Sequence, residues 1–277
     1  MSTGSEPAVE PPPPLSWRDA LWRQPAAFFT AVRFLTRVPI PDRLVPQGDD
    51  PAGLLRAAVV YFPAVGTLIG LATAGVITAA SGLWPVWLAV LLGLAFEAAL
   101  TGAFHEDAVA DFCDAFGGGW TRDDILRILR DSRVGSFGAL GLTLAVLLRA
   151  GGLATLEPGT LMAATVASAT LGRWVILLVM ATLAPVSGRD GLARDIGQQL
   201  TAGEVLFGSL LAVPGAVIWA VTDPSRFLAA MVVLPLFAAA FVLYVRRRLG
   251  GVTGDCLGCA CYVGQVLVLL AATARWA

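Results

Sequence analysis

The chain has 277 residues, 57% of them hydrophobic and only 14% charged, and its mean hydropathy is +0.75. A water-soluble domain of this length needs far more charge to cover its surface, so a soluble globular fold is excluded and a membrane protein is expected. The formal net charge of -1 offers no footprint for nucleic acid.

Residues 1–15 carry acids and the run Pro11 to Pro14, which reads as a disordered tail with no apolar core for a signal peptide. Residues 16–56 read as an interfacial amphipathic segment. Within it Trp17, Leu21, Phe28, Val32 and Leu35 recur at helical spacing, Arg33 and Arg37 lie four apart, and Pro39-Ile-Pro41 ends the pattern. Residues 57–277 read as a membrane-embedded catalytic domain.

Seven apolar runs follow, at about 57–80, 84–104, 135–156, 161–184, 204–222, 227–245 and 257–274. The expected fold is therefore all-α: a polytopic integral membrane helical bundle of about seven transmembrane helices. All 19 Lys and Arg positions are arginine, and arginine binds phosphate in a bidentate way. With the N-terminus in the cytoplasm, most of them fall on that side. They are Arg18, Arg23, Arg33, Arg37, Arg43 and Arg56, then Arg122, Arg127, Arg130 and Arg133, then Arg189 and Arg194, and finally Arg246 to Arg248. Arg226 and Arg275 fall outside, Arg149 near the outer end of the third run, and Arg173 within the fourth.

The groups that could carry chemistry sit on the arginine-rich side. Asp107, Asp111 and Asp114 follow the second run at spacings of four and three, which puts three carboxylates on one helical face. Mutual repulsion must be offset, either by solvent or by a divalent cation held by oxygen ligands. Gly117 to Gly119 follow, then Arg130-Asp131-Ser132-Arg133, whose arginines suit phosphate oxygens or serve as inside-positive anchors. Gly250 to Asp255 form a glycine turn that reads either as an anion-binding nest or as a plain turn. Carboxylates for a metal, arginines for phosphate and glycine turns on one face describe phosphoryl transfer.

Other groups admit simpler roles. His105 is a hydrogen-bond partner, a ligand or a base. Arg173, inside an apolar run, needs a polar cavity or a carboxylate, and Glu97 is the expected partner or neighbour. Cys256, Cys259 and Cys261 read as small packing residues entering a helix. A cation or proton transporter built on Glu97, Arg173 and the aspartates is a rival, but transporters more often spread carboxylates over several spans near the midplane.

Several of these segments together resemble the cobalamin synthase (adenosylcobinamide-GDP ribazoletransferase) family. Phe34-Leu-Thr-Arg-Val-Pro-Ile-Pro41 and Tyr61-Phe-Pro-Ala-Val-Gly66 look like its opening. His105-Glu-Asp-Ala-Val-Ala-Asp-Phe-Cys-Asp114 is similar to its His-Leu-Asp-Gly-Leu-Ala-Asp-x-x-Asp-Gly signature. Arg130-Asp-Ser-Arg-Val-Gly-Ser-Phe-Gly138 and Gly250-Gly-Val-Thr-Gly-Asp-Cys-Leu-Gly258 are similar to its later motifs. The resemblance implies a Mg²⁺-dependent enzyme of the bacterial cytoplasmic membrane, with its site facing the cytoplasm. It would join α-ribazole or its 5′-phosphate to adenosylcobinamide-GDP and release GMP. The same aspartate run also resembles CDP-alcohol phosphotransferases, although their fuller signature is missing here.

The roles implied are metal binding by Asp107, Asp111 and Asp114, and proton transfer by Asp114, His105 or Asp131. Arg130, Arg133, Arg173, Arg189, Thr253 and Asp255 would bind substrate. Expected partners are the two substrates, the bilayer and other late cobalamin-pathway enzymes, with a homo-oligomer left open and no nucleic acid. The chain departs from the pattern at Glu106, usually apolar, and at Ala108 and Ala115, usually glycine. A methyl at either alanine would crowd a metal or phosphate lying against that turn.

Overall fold

The computed structural model describes residues 17–45, 51–186 and 199–275. Its helices are α1 (Trp17–Leu35), α2 (Pro51–Val59), α3 (Phe62–Ser81), α4 (Val86–Thr101), α5 (Phe104–Gly118), α6 (Arg122–Ile128), α7 (Ser136–Ala154), α8 (Pro158–Thr182), α9 (Ala202–Thr222), α10 (Pro224–Leu249) and α11 (Gly254–Thr273). Among the described residues the sole strand-like pairing is an isolated parallel bridge between Pro185 and Val252.

Six helices (α3, α7, α8, α9, α10 and α11) are long and apolar enough to cross a bilayer. Their outer faces are apolar too. Leu140, Leu144 and Leu147 on α7, and Leu206, Leu210 and Val213 on α9, are exposed at helical spacing. Contiguous apolar surface of that extent suits lipid, not water. The chain is a multi-pass helical membrane protein.

The expected second span, 84–104, corresponds to α4, and with α5 it makes a bent pair that counts as a seventh candidate crossing if the two are one broken span. α4 stops at Thr101, and the chain turns by 89° into α5. Two consecutive left-handed residues make the turn, Gly102 at φ 69° and Ala103 at φ 55°. Glycine adopts this backbone freely, whereas alanine pays about 1–2 kcal/mol. The turn is braced from outside. The Arg37 N–H donates to Leu100 O at 2.7 Å and so occupies a carbonyl that the end of α4 leaves open. The Arg37 guanidinium fills the space that a side chain at Gly102 would need. The first 57–80 run is also divided, since α2 ends at Val59 and α3 begins at Phe62 with a proline in its first turn.

α8 is the central helix, buried on nearly every side, while α7 and α9 lie at the periphery. Its alanines, with Ser168 and Gly172, leave room for neighbours, as lipid-embedded helices require when no hydrophobic effect drives them together. α3 packs closely against it through Gly66 and Gly70, four residues apart. A Cβ on Gly66 would lie 2.5 Å from Ala169 O, and one on Gly70 would lie 2.8 Å from Val166 Cα.

Candidate active site

The site is built on α5, whose sequence is two-faced. Ala108, Val109, Ala110, Ala115 and Phe116 are buried, Asp107 is exposed, and Asp111 and Asp114 are half-buried. The buried side packs on α11, where a Cβ added to Gly258 would come within 2.5 Å of the Ala108 methyl. This overturns the expectation that Ala108 and Ala115 crowd the site. Both methyls point into the core, at 5% and 0% exposure.

Asp114 is already engaged. Its carboxylate accepts the Gly135 N–H at 2.7 Å and the Gly138 N–H at 2.8 Å. These donors open α7, so Asp114 caps a helix belonging to another part of the chain. The fit requires glycine: a Cβ on Gly135 would lie 2.5 Å from the Asp114 carboxylate, and one on Gly138 would overlap it. The Arg-Asp-Ser-Arg-Val-Gly motif is thereby tied to the aspartate run.

Within that motif Arg133 donates to Asp131 through Nε at 2.9 Å and Nη2 at 2.6 Å. These hydrogen bonds from the guanidinium, with a further one from the Arg133 backbone N–H, hold the Asp131 carboxyl down at about 2. Asp131 is therefore a brace for Arg133 and a weak base. Arg130 and Arg133 are both exposed beside it.

The remaining candidates are dispersed. His105 is 3% exposed, faces the core, and its Nε2 has no hydrogen-bond partner. Arg173 is fully buried; its Nη1 donates to Ala169 O at 2.9 Å, while Nε and Nη2 have no partner. Thr253 is buried and accepts the Cys256 N–H, capping α11, with Asp255 Oδ2 3.4 Å from its hydroxyl. In the glycine turn, the Gly250 N–H is taken by Arg246 O and the Val252 N–H by Ala184 O, so the turn is partly used by the fold. Arg189 and Arg194 lie outside the described residues.

Glu97 is a charge neighbour of Arg173 but does not hydrogen-bond it. Its two oxygens accept from Arg149 Nη2 at 2.7 Å each, and Thr73 Oγ1 donates to it at 3.1 Å. Arg149 lies near the end of α7 as expected, and it is buried there, 2% exposed. An arginine in an otherwise apolar run was the available signal, and α7 and α8 each offered one. Of Arg246 to Arg248, counted among the arginines that set the orientation, two do more: Arg246 donates to Thr182 O and Arg248 to Gly119 O.

Among the described residues no three His, Cys, Asp or Glu side chains are gathered into a ready metal cluster. The donor chemistry nevertheless fits Mg²⁺, which takes oxygen ligands, few carboxylates and several waters or substrate phosphates. Asp107 and Asp111, one turn apart on the accessible side of α5, are suited to that, and the Asp114 oxygens keep further lone pairs.

The family model for cobalamin-5-phosphate synthase matches residues 27–273. An adenosylcobinamide-GDP ribazoletransferase of Ralstonia pickettii is 36% identical over 248 residues, covering 88% of this chain and 93% of the relative. Those of Ralstonia nicotianae and Shewanella frigidimarina are 39% and 38% identical, covering 88% and 90% of this chain and 93% and 95% of theirs. No solved structure matches. A match running from the middle of α1 to the end of α11, through every motif gathered around α5, establishes that the chain belongs to the cobalamin-5-phosphate synthase family of transferases.

Proposed function

We propose that the chain transfers the cobinamide phosphate of adenosylcobinamide-GDP to a ribose hydroxyl of α-ribazole or its 5′-phosphate. The observation that carries this is the coupling of the aspartate face of α5 to the arginine motif through Asp114, Gly135 and Gly138. The relatives' names supply the substrates. In the reaction the hydroxyl oxygen bonds to the cobinamide-linked phosphorus, the bond from that phosphorus to the oxygen of GMP breaks, and GMP departs with the electron pair. The hydroxyl proton passes to a base.

Asp107 and Asp111, with Asp114 behind them, would hold Mg²⁺. The bound ion would supply charge neutralisation to the diphosphate. Arg130 and Arg133 would reach phosphate oxygens as exposed cations, and Asp131 limits where Arg133 can point. The burial of His105 and the ion pair of Asp131 both argue against a role as base. The distribution of arginines favours an inward-facing site in the bacterial cytoplasmic membrane.

The test is transfer in nanodiscs from adenosylcobinamide-GDP to α-ribazole and to its 5′-phosphate, with and without Mg²⁺, following GMP and cobamide together. Stoichiometric, Mg²⁺-dependent appearance of both products is expected. Asp111→Asn should lower kcat by at least about 100-fold, as loss of a metal-held charge in a transition state does, while the protein still folds. Turnover near the wild-type value in folded Asp111→Asn would overturn the assignment of the metal ligands.

A further inference from the structure

The geometry points to Arg149 and Glu106 as positioning residues that set the angle of α5, and with it the placement of Asp107 and Asp111. α5 leaves α4 through two left-handed residues, Gly102 and Ala103, a connection of one short turn bent by 89°. A single guanidinium spans that bend. Arg149, on α7, donates from Nη2 to both oxygens of Glu97 on α4 at 2.7 Å. Its Nη1 lies 4.0 Å from Glu106 on α5. The same guanidinium lies 5.4 Å from the centre of the Tyr262 ring on α11. One side chain thus joins four helices in an interior where a charge without partners is costly.

α7 holds α5 a second time, eight residues along, where Gly135 and Gly138 at its start donate to Asp114. Eight residues of helix span about 12 Å. Asp107 and Asp111 lie between these two clamps. The Asp114 clamp holds the far end of α5 and its packing on α11 holds the buried face; the Glu106–Arg149–Glu97 bridge holds the end next to the 102–103 turn. A charged residue at 106, where the related pattern is apolar, thereby acquires a role.

The catalytic arm of the test rests on the proposed transferase reading; the structural arm does not. Glu106→Leu removes the charge and leaves an apolar side chain, and Arg149→Met does the same on α7. Both would be compared with wild type in nanodiscs by hydrogen–deuterium exchange and by steady-state transfer. The expected result for Glu106→Leu is faster exchange confined to residues 103–112, with α8 unchanged. Together with it, kcat should fall by about 10- to 100-fold, the range for an ångström-scale displacement of catalytic groups, at unchanged KM for both substrates. Glu106→Gln, which keeps an acceptor, should recover part of the loss. Glu106→Leu added to Arg149→Met should change little further, because Glu106 acts through Arg149.

Unchanged exchange over 103–112 in Glu106→Leu overturns the proposal, as does a rise spread evenly over the bundle or additive effects in the double variant. Should Arg149→Met fail to fold, the Glu106→Leu and Glu106→Gln pair decides alone. Wild type without transfer activity would refute the transferase reading, while the exchange data would still decide the clamp.

Discussion

The Asp131–Arg133 pair shows how a single contact decides between two roles for one residue. Both side chains carry functional expectations, one as base and one as phosphate ligand, and spacing alone cannot separate those from a pairing of the two. With Nη2 2.6 Å from Oδ2, the pair is formed. The Asp131 carboxyl is lowered from an ordinary 3.8 to about 2. For a lowered carboxyl, the stabilisation is present above the unfolded value and is lost as pH falls through the folded one, here between about 4 and 2. Nothing in this pair therefore titrates near neutrality. Asp131→Asn is expected to leave the acid limb of the kcat/KM profile in place, and to raise KM for the diphosphate substrate severalfold as Arg133 loses its brace. Profiles of both proteins from about pH 5 to 9 check this, and displacement of the acid limb in the variant would restore Asp131 as the base.

At the scale of elements, apolar runs were legible because a spanning helix needs about 20 apolar residues, and the runs at 135–156, 161–184, 204–222, 227–245 and 257–274 correspond to α7 to α11. The bend between α4 and α5 was not. Gly102 alone resembles many glycines in membrane helices, and nothing local marks Ala103 for a left-handed backbone; the brace comes from Arg37, far away in sequence. The spacing of the aspartates placed them on one face, but the donors to Asp114 lie 21 and 24 residues on. Glu97 is a charge neighbour of Arg173 as expected, but two apolar helices each carried an arginine, and only packing selects Arg149 as its hydrogen-bond partner. Close helix contact was equally hidden, because Gly70 and Gly75 on α3 look alike in sequence. A Cβ on Gly70 would lie 2.8 Å from Val166 Cα, whereas Gly75 has nothing within 4 Å. Gly70→Ala should lose about 1–3 kcal/mol from overpacking, while Gly75→Ala should be neutral or gain up to about 1 kcal/mol from helix propensity. Unfolding of the two variants in mixed micelles separates them, and equal stabilities would refute the close α3–α8 crossing.

Across the whole molecule, the arginines do two jobs at one end of the bundle. Their asymmetry was read from sequence as an orientation signal. Several also close the ends of helices to which they do not belong. Arg122 donates from Nε to Leu249 O at 3.1 Å, at the end of α10. Arg248 returns from α10 to Gly119 O at 2.6 Å, just past α5, and Arg246 reaches Thr182 O at the end of α8. Each serves a carbonyl that a helix end leaves without an internal partner, and each places positive charge at the negative end of a helix dipole. The Ala184–Val252 and Val186–Val252 hydrogen bonds join the same region. The polar end that carries the aspartates is thus stitched from α5, α8 and α10, so its shape depends on contacts remote from any reacting group. Arg248 and Arg247 are neighbours in sequence but differ in this respect: Arg248 is half-buried over the Phe116 and Tyr244 rings, and Arg247 is exposed. Arg248→Ala should cost about 1–2 kcal/mol through loss of a charge-assisted hydrogen bond, and should raise amide exchange in the segment joining α5 to α6. Arg247→Ala should do neither, although both substitutions remove the same charge from the same helix turn. If the two variants behave alike in exchange and unfolding, the arginines at this end act only as anchors, and the cross-capping has no energetic consequence.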